Sequence, residues 1–154
     1  MRKFGIIAVL ALMVTALAAV PALAQSGHFV GTPTCTDEGT TFNCTGKVAG
    51  LGGTTFEIQV AAQGTASVTC RNPAGNVAPG QSFTTTASGS SGPLATPTNG
   101  NYSFALTSVA PTAPAGSCPN SMWTGTVTDV SFTTATLTLL EDNIVSDTIT
   151  VPVR

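Results

Sequence analysis

Charge is scarce in this 154-residue sequence: five Lys or Arg and seven Asp or Glu make up 8% of it. The cations are too few and too scattered to neutralise a phosphate backbone or to hold an anionic membrane, which excludes nucleic acid as a partner. One histidine is present, His28, in the first strand or a fraying terminus, and it reads as a surface residue. No G-x-S-x-G elbow marks a nucleophile for a Ser-His-Asp arrangement. Beyond the N-terminal segment no helical period is sustained, and Gly50-Leu51-Gly52-Gly53 precedes a strand-like run, so it reads as a turn and not as a phosphate cradle.

Long apolar runs are confined to the N-terminus. MRKFGIIAVLALMVTALAAVPALAQ has two basic residues, an apolar run from Phe4 to Val20, Pro21, and alanines at 22 and 24. This is the pattern of a secretory signal peptide over residues 1–24, cleaved after Ala24. The run is too short and ends too abruptly for a membrane anchor, so the mature chain is expected to carry no membrane span. Residues 25–154 then form a single domain, with Lys47, Arg71 and Arg154 against seven acids, formally −4. Such a surface of Thr, Ser, Asn and Gln is only weakly protected by charge repulsion and is open to self-association.

All four cysteines, Cys35, Cys44, Cys70 and Cys118, follow the leader. An even number in an oxidising compartment indicates two disulfides, and spacings of 9, 26 and 48 without any C-x-x-C argue against zinc. Period-two alternation recurs throughout. In TTFEIQVAA, Phe56, Ile58, Val60 and Ala62 share one face, and in TASVTC so do Ala66, Val68 and Cys70. A hairpin through Gln63-Gly64-Thr65 would pair Val60 with Val68 and Ile58 with Cys70, keeping every apolar side chain on one side. In HFVGTPTCTDEGTTFNCTGKV a turn at residues 37–40 sets Cys35 opposite Cys44, Pro33 opposite Gly46 and Gly31 opposite Val48. Opposed residues lie about 4.5–5.5 Å apart at Cα, within disulfide reach. The expected pairing is therefore Cys35–Cys44 and Cys70–Cys118, the latter worth about 3–4 kcal/mol through the loop it closes.

Further strands are expected at QSFTTTAS, NYSFALTS, WTGTVTDVSF, TATLTLL and IVSDTITVPV. The expected fold is all-β: an Ig-like antiparallel β-sandwich of about eight strands with two disulfides, behind a signal-peptide helix. In CPNSMWTGTVTDV the parity of Trp123 and Val127 conflicts with that of Val130 and Phe132, which a β-bulge near Thr128-Asp129 resolves by turning Asp129 to solvent. Trp123 is then expected in the core, packed on the cystine; the alternative is an exposed indole that stacks on sugar or protein. Asp37-Glu38 and Glu141-Asp142-Asn143 read as turn formers, with calcium ligation the alternative.

The stretches CTGKVAGLG at 44–52, CRNPAGNVAPGQ at 70–81 and CPNSMWTGTVTDV at 118–130 resemble small two-disulfide proteins exported by bacteria. In gross character the chain is also similar to neocarzinostatin-type carriers and subtilisin-inhibitor-type proteins. That resemblance implies a secreted sandwich and carries over no site residue.

The functional expectation is a secreted or periplasmic, non-enzymatic binding or structural module. It would meet an unknown protein or cell-surface partner through loops 72–81, 88–100 and 110–120. No catalytic residue, metal or cofactor is expected, and the candidate contact residues are Trp123, Asn72, Asn76, Leu94 and Tyr102. A small-ligand carrier or protease inhibitor on the same scaffold is the alternative, and an extracellular filament subunit the third reading.

Overall fold

Sequence alternation becomes ten strands in the computed structural model, which describes residues 26–154; the expected leader lies outside the described residues. The smaller sheet is centred on β3 (Phe42–Ala49). On one flank lie β1 (His28–Phe29) and β2 (Thr34–Asp37), and on the other β8 (Tyr102–Thr107). The larger sheet is built on two long strands, β4 (Thr55–Arg71) and β9 (Thr124–Glu141). β10 (Ile144–Pro152) flanks β9, while β5 (Val77–Pro79), β6 (Phe83–Ser90) and β7 (Leu94–Ala95) follow one another along the far side of β4.

The core lies between the sheets, from Phe42, Cys44 and Val48 on β3 to Phe56, Ile58 and Val60 on β4 and Leu137 and Leu139 on β9. Aromatic rings meet edge to face across it: Phe42 and Phe132 at 5.1 Å, Phe56 and Tyr102 at 5.0 Å. That arrangement suits the ring quadrupoles. Both flanks of the sandwich are closed by backbone bonds. Val109 N–H donates to the Ser88 carbonyl on one side. On the other, the C-terminus bridges the sheets, with Val153 N–H donating to Thr133 and Arg154 N–H to Cys35.

Both expected disulfides form, and Cys35 stands opposite Cys44 as the hairpin register requires. The expected register holds along all of β2 and departs only at β1. Val48 faces Phe29, not Gly31, because two residues are absorbed around Gly31, whose φ is +68°, and Pro33, which has no N–H for the ladder. The slip is even, so Phe29 still points inward and is buried.

A larger correction concerns the hairpin expected at Gln63-Gly64-Thr65. β4 runs straight through it, and Val60 faces Leu137 while Cys70 faces Gly125. Gly64 is there for close approach and not for a turn: a Cβ on it would lie 2.7 Å from Val130 Cγ1 and 2.9 Å from the Ser131 carbonyl oxygen. β9 likewise merges two expected strands. It shifts phase twice, once at the expected bulge, where Thr128 is the extra residue and Asp129 is exposed, and again opposite Gln63. The shifts bring Val130, Phe132, Ala135, Leu137 and Leu139 in turn onto the inward face.

The β9–β10 connection is a two-residue turn, Asp142 and Asn143, both with positive φ as a type I′ hairpin demands. The residue before it, Glu141, falls on the inward row and is fully buried. Its carboxylate accepts the N–H groups of Gly52 at 2.7 Å, Gly53 at 3.2 Å and Gly27 at 2.9 Å, and the Ser146 hydroxyl at 2.7 Å. Asp142 accepts the Thr54 hydroxyl at 2.7 Å and the Thr55 N–H at 2.9 Å. Gly52 and Gly53 thus hold an anion supplied by their own chain. Burial pushes the Glu141 carboxyl up, but the donors from Gly52, Ser146, Gly27 and Gly53 outweigh it and hold the group below its ordinary value of 4.5. The Thr54 hydroxyl and the Thr55 and Thr54 amides lower Asp142 from 3.8 to about 2.

Two outcomes follow. Gly64→Ala should destabilise the fold by about 1–3 kcal/mol through overpacking, read from denaturant midpoints; a turn at that place would accept alanine at no such cost. Both carboxyls are depressed in the folded state, so their contribution is complete above the unfolded values and is lost as pH falls through the folded ones. Stability should therefore drop between about pH 4.5 and about pH 2. Glu141→Gln, which turns an amide toward buried donors, should weaken that dependence and cost about 1–3 kcal/mol at neutral pH.

Candidate ligand cleft

The smaller sheet ends before the larger one does. Gly39, in the β2–β3 turn, accepts the Val130 N–H at 2.9 Å, and the row of Ala66 and Val130 is the last of β4 and β9 inside the main core. Past it the β4–β9 ribbon continues to Arg71 opposite Thr124. Val68 and Cys70 are buried there without belonging to the main core. Their cover is Gly80, where a Cβ would lie 2.7 Å from Val68 Cγ1 and 2.8 Å from Cys70 Sγ, together with the segment from Ala110 to Trp123, tied down by Cys70–Cys118 and by the Gln81 N–H donating to the Ser117 carbonyl at 2.8 Å. Gly125 makes room for it, since a Cβ at that position would lie 3.1 Å from Cys118 Sγ and 3.2 Å from Ala113 Cβ.

The cover owes its shape to turn chemistry written in the sequence. Pro114-Ala115-Gly116-Ser117 closes with the Ser117 N–H on the Pro114 carbonyl at 3.2 Å, and Gly116 supplies the φ of +89° that a type II turn needs at its third position. Asn120-Ser121-Met122-Trp123 closes the same way at 3.1 Å, while the Asn120 side chain accepts the Met122 N–H at 3.0 Å. Between the two turns lies a half-open cleft of about 660 Å³, walled by Pro114, Pro119, the cystine and Trp123. That volume is in the range of small-molecule sites, about 300–1,000 Å³. Among the described residues no charged side chain lines it.

Trp123 is half-buried in this wall and is not part of the core, against the expectation from its place after Cys118. The reason is local. β9 begins only at Thr124, so Trp123 belongs to the preceding turn, at a level the smaller sheet does not reach.

The other candidate residues are not gathered here. Asn72 and Asn76 close their own loop, through the Asn76 N–H on Asn72 Oδ1 at 2.8 Å and the Asn72 N–H on the Asn76 carbonyl at 3.1 Å. Leu94 pairs with Phe56 on β7, and Tyr102 packs on the Phe56 ring, both at the margin of the main core. Loops 72–81 and 110–120 meet at Gln81 and Ser117, whereas β7, within 88–100, pairs with the opposite end of β4. Pro114, Asn120 and Ser121, which shape the cleft, were recognisable as turn formers but not as its walls.

Elsewhere, His28 is exposed, its Nδ1 3.0 Å from the Ser26 carbonyl oxygen. Asp37 accepts the Gly39 N–H at 2.8 Å in the β2–β3 turn. Among the described residues no three His, Cys, Asp or Glu side chains are grouped to hold a metal, and no helix is long and apolar enough to cross a membrane. No family model matches the chain, and no curated protein or solved structure matches it either.

Removing the staple should open this end alone. A Cys70→Ala, Cys118→Ala double variant should lose about 2–4 kcal/mol of stability. Its Trp123 emission should move to longer wavelength while the Cys35–Cys44 bond resists mild reduction. Unchanged emission would show that the cystine does not hold the cleft.

Proposed function

We propose that this chain is an exported, non-enzymatic binding module that engages its target through the Trp123 cleft. The observation carrying this reading is the cleft itself: an uncharged, half-open hollow with the sole tryptophan in its wall, held rigid by a disulfide and two closed turns. A site pre-ordered in this way loses little conformational freedom on binding. Two disulfides, typical of extracellular proteins, and the leader expected over residues 1–24 support export. The Ser121 hydroxyl in the cleft has no imidazole or carboxylate beside it among the lining residues, which supports binding over catalysis.

The connectivity supports an immunoglobulin-like lineage for the scaffold. With β1 and β2 counted as one edge strand, β3 and β8 complete a three-strand layer, and β6, β4, β9 and β10 lie in that order in a four-strand layer. The contact region takes loop 110–120 with 72–81 beside it, and loop 88–100 lies outside it.

Retention of solubilised envelope and secreted material from the producing cell on the immobilised protein tests the proposal. Trp123→Ala should lower retention at least about tenfold, a loss of about 1.4 kcal/mol. Thr98→Ala, on the exposed 88–100 loop, should leave it unchanged. Equal retention by the Trp123→Ala protein would refute the assignment.

A further inference from the structure

Resting on the binding reading above, we propose that the cleft takes an uncharged carbohydrate, with a β-linked pyranose lying on the Trp123 indole. The lining decides what can sit there. A charged ligand would lose its hydration and find no opposite charge among the lining residues. Arg71, the cation at this end, is paired with Thr124 and follows the inward-pointing Cys70 in the strand, so it projects from the opposite face of the sheet.

A wholly apolar ligand fits no better. Among the described residues nothing hydrogen-bonds the Trp123 indole N–H, the Ser121 hydroxyl or the Asn120 amide NH₂, and all three residues line the cleft. Covering them with hydrocarbon would strip them of water without replacement. What remains is a neutral molecule with one apolar face and a rim of hydroxyls. A pyranose with equatorial substituents has that form: its axial C–H bonds make a flat face for the indole, and its hydroxyls point outward to meet the amide, the hydroxyl and the indole N–H. The half-open shape lets a chain of such rings run on past the cleft, and the proline walls and closed turns set the indole in place before the sugar arrives. Among the described residues no carboxylate lines the cleft to serve as either of the two acids that glycoside hydrolysis requires, and the bound sugar should be released intact.

Because Trp123 is the chain's single tryptophan, intrinsic fluorescence reports on this site alone. The full mature protein should be titrated with cellohexaose and with chitohexaose, and with hexagalacturonate as the acidic comparison. At least one neutral hexasaccharide should give a saturable emission change, with an affinity that holds between low and high salt because no ion pair is formed. Trp123→Ala, followed by calorimetry, should weaken binding at least about tenfold while the protein still folds and melts cooperatively. Ser121→Ala, which removes no internal bond, should weaken it several-fold. The proposal is overturned if neither neutral hexasaccharide binds, if the acidic one binds more tightly, or if Trp123→Ala binds as well as the parent. Should these fail while Trp123→Ala still abolishes retention of an envelope protein, the binding reading stands with a protein as occupant. Should Trp123→Ala change neither, both fall.

Discussion

The pairing of β4 with β9 is the constraint on which the rest of this molecule depends. From Phe56 opposite Glu141 to Arg71 opposite Thr124, the two strands form one ribbon longer than the sheet that packs on it. One part of the ribbon has the smaller sheet for cover and makes the core. The overhanging part must bury Val68 and Cys70 by other means, and Gly80 and the segment from Ala110 to Trp123 do so. The cleft is a product of that mismatch. A loop held by one cystine and a few turn bonds cannot fill space as a β-sheet does, and the hollow it leaves is where the indole lies.

At the other end of the ribbon the chain solves a different problem. Glu141 occupies a core position, and an unpaired buried carboxylate would be costly. The backbone amides of two separate segments, at Gly27 and at Gly52 and Gly53, converge on it with the Ser146 hydroxyl. Asp142 adds Thr54 and Thr55. In a chain so poor in charge, these neighbouring acids pin the first described residues and the β3–β4 connection to the β9–β10 hairpin. The pin and the staple sit at opposite ends of one ribbon.

Much of the fold was legible because side-chain parity survives errors of register. The imagined hairpin at Gly64 matched even-numbered residues with even-numbered ones, so it assigned Phe56 through Cys70 to the inward face just as the straight strand does. Alternation could not tell the two apart. The distinguishing evidence, a glycine pressed against β9, exists only in three dimensions. The bulge at Thr128 was readable because there parity itself broke. The disulfides were readable because opposed positions in a short hairpin settle one pair and leave the other. Trp123 was misplaced because its nearness to Cys118 said nothing of where the smaller sheet stops. Glu141 stood on the inward row with Leu137 and Leu139, a signal obscured by its equally good fit to a turn.

A cross-strand NOE map of the oxidised mature protein tests the ribbon most directly. Continuous pairing requires contacts from Val60 to Leu137 and from Cys70 to Gly125, with none between Val60 and Val68. A Val60–Val68 contact would restore the hairpin at Gly64, remove the overhang, and take with it the physical origin of the cleft.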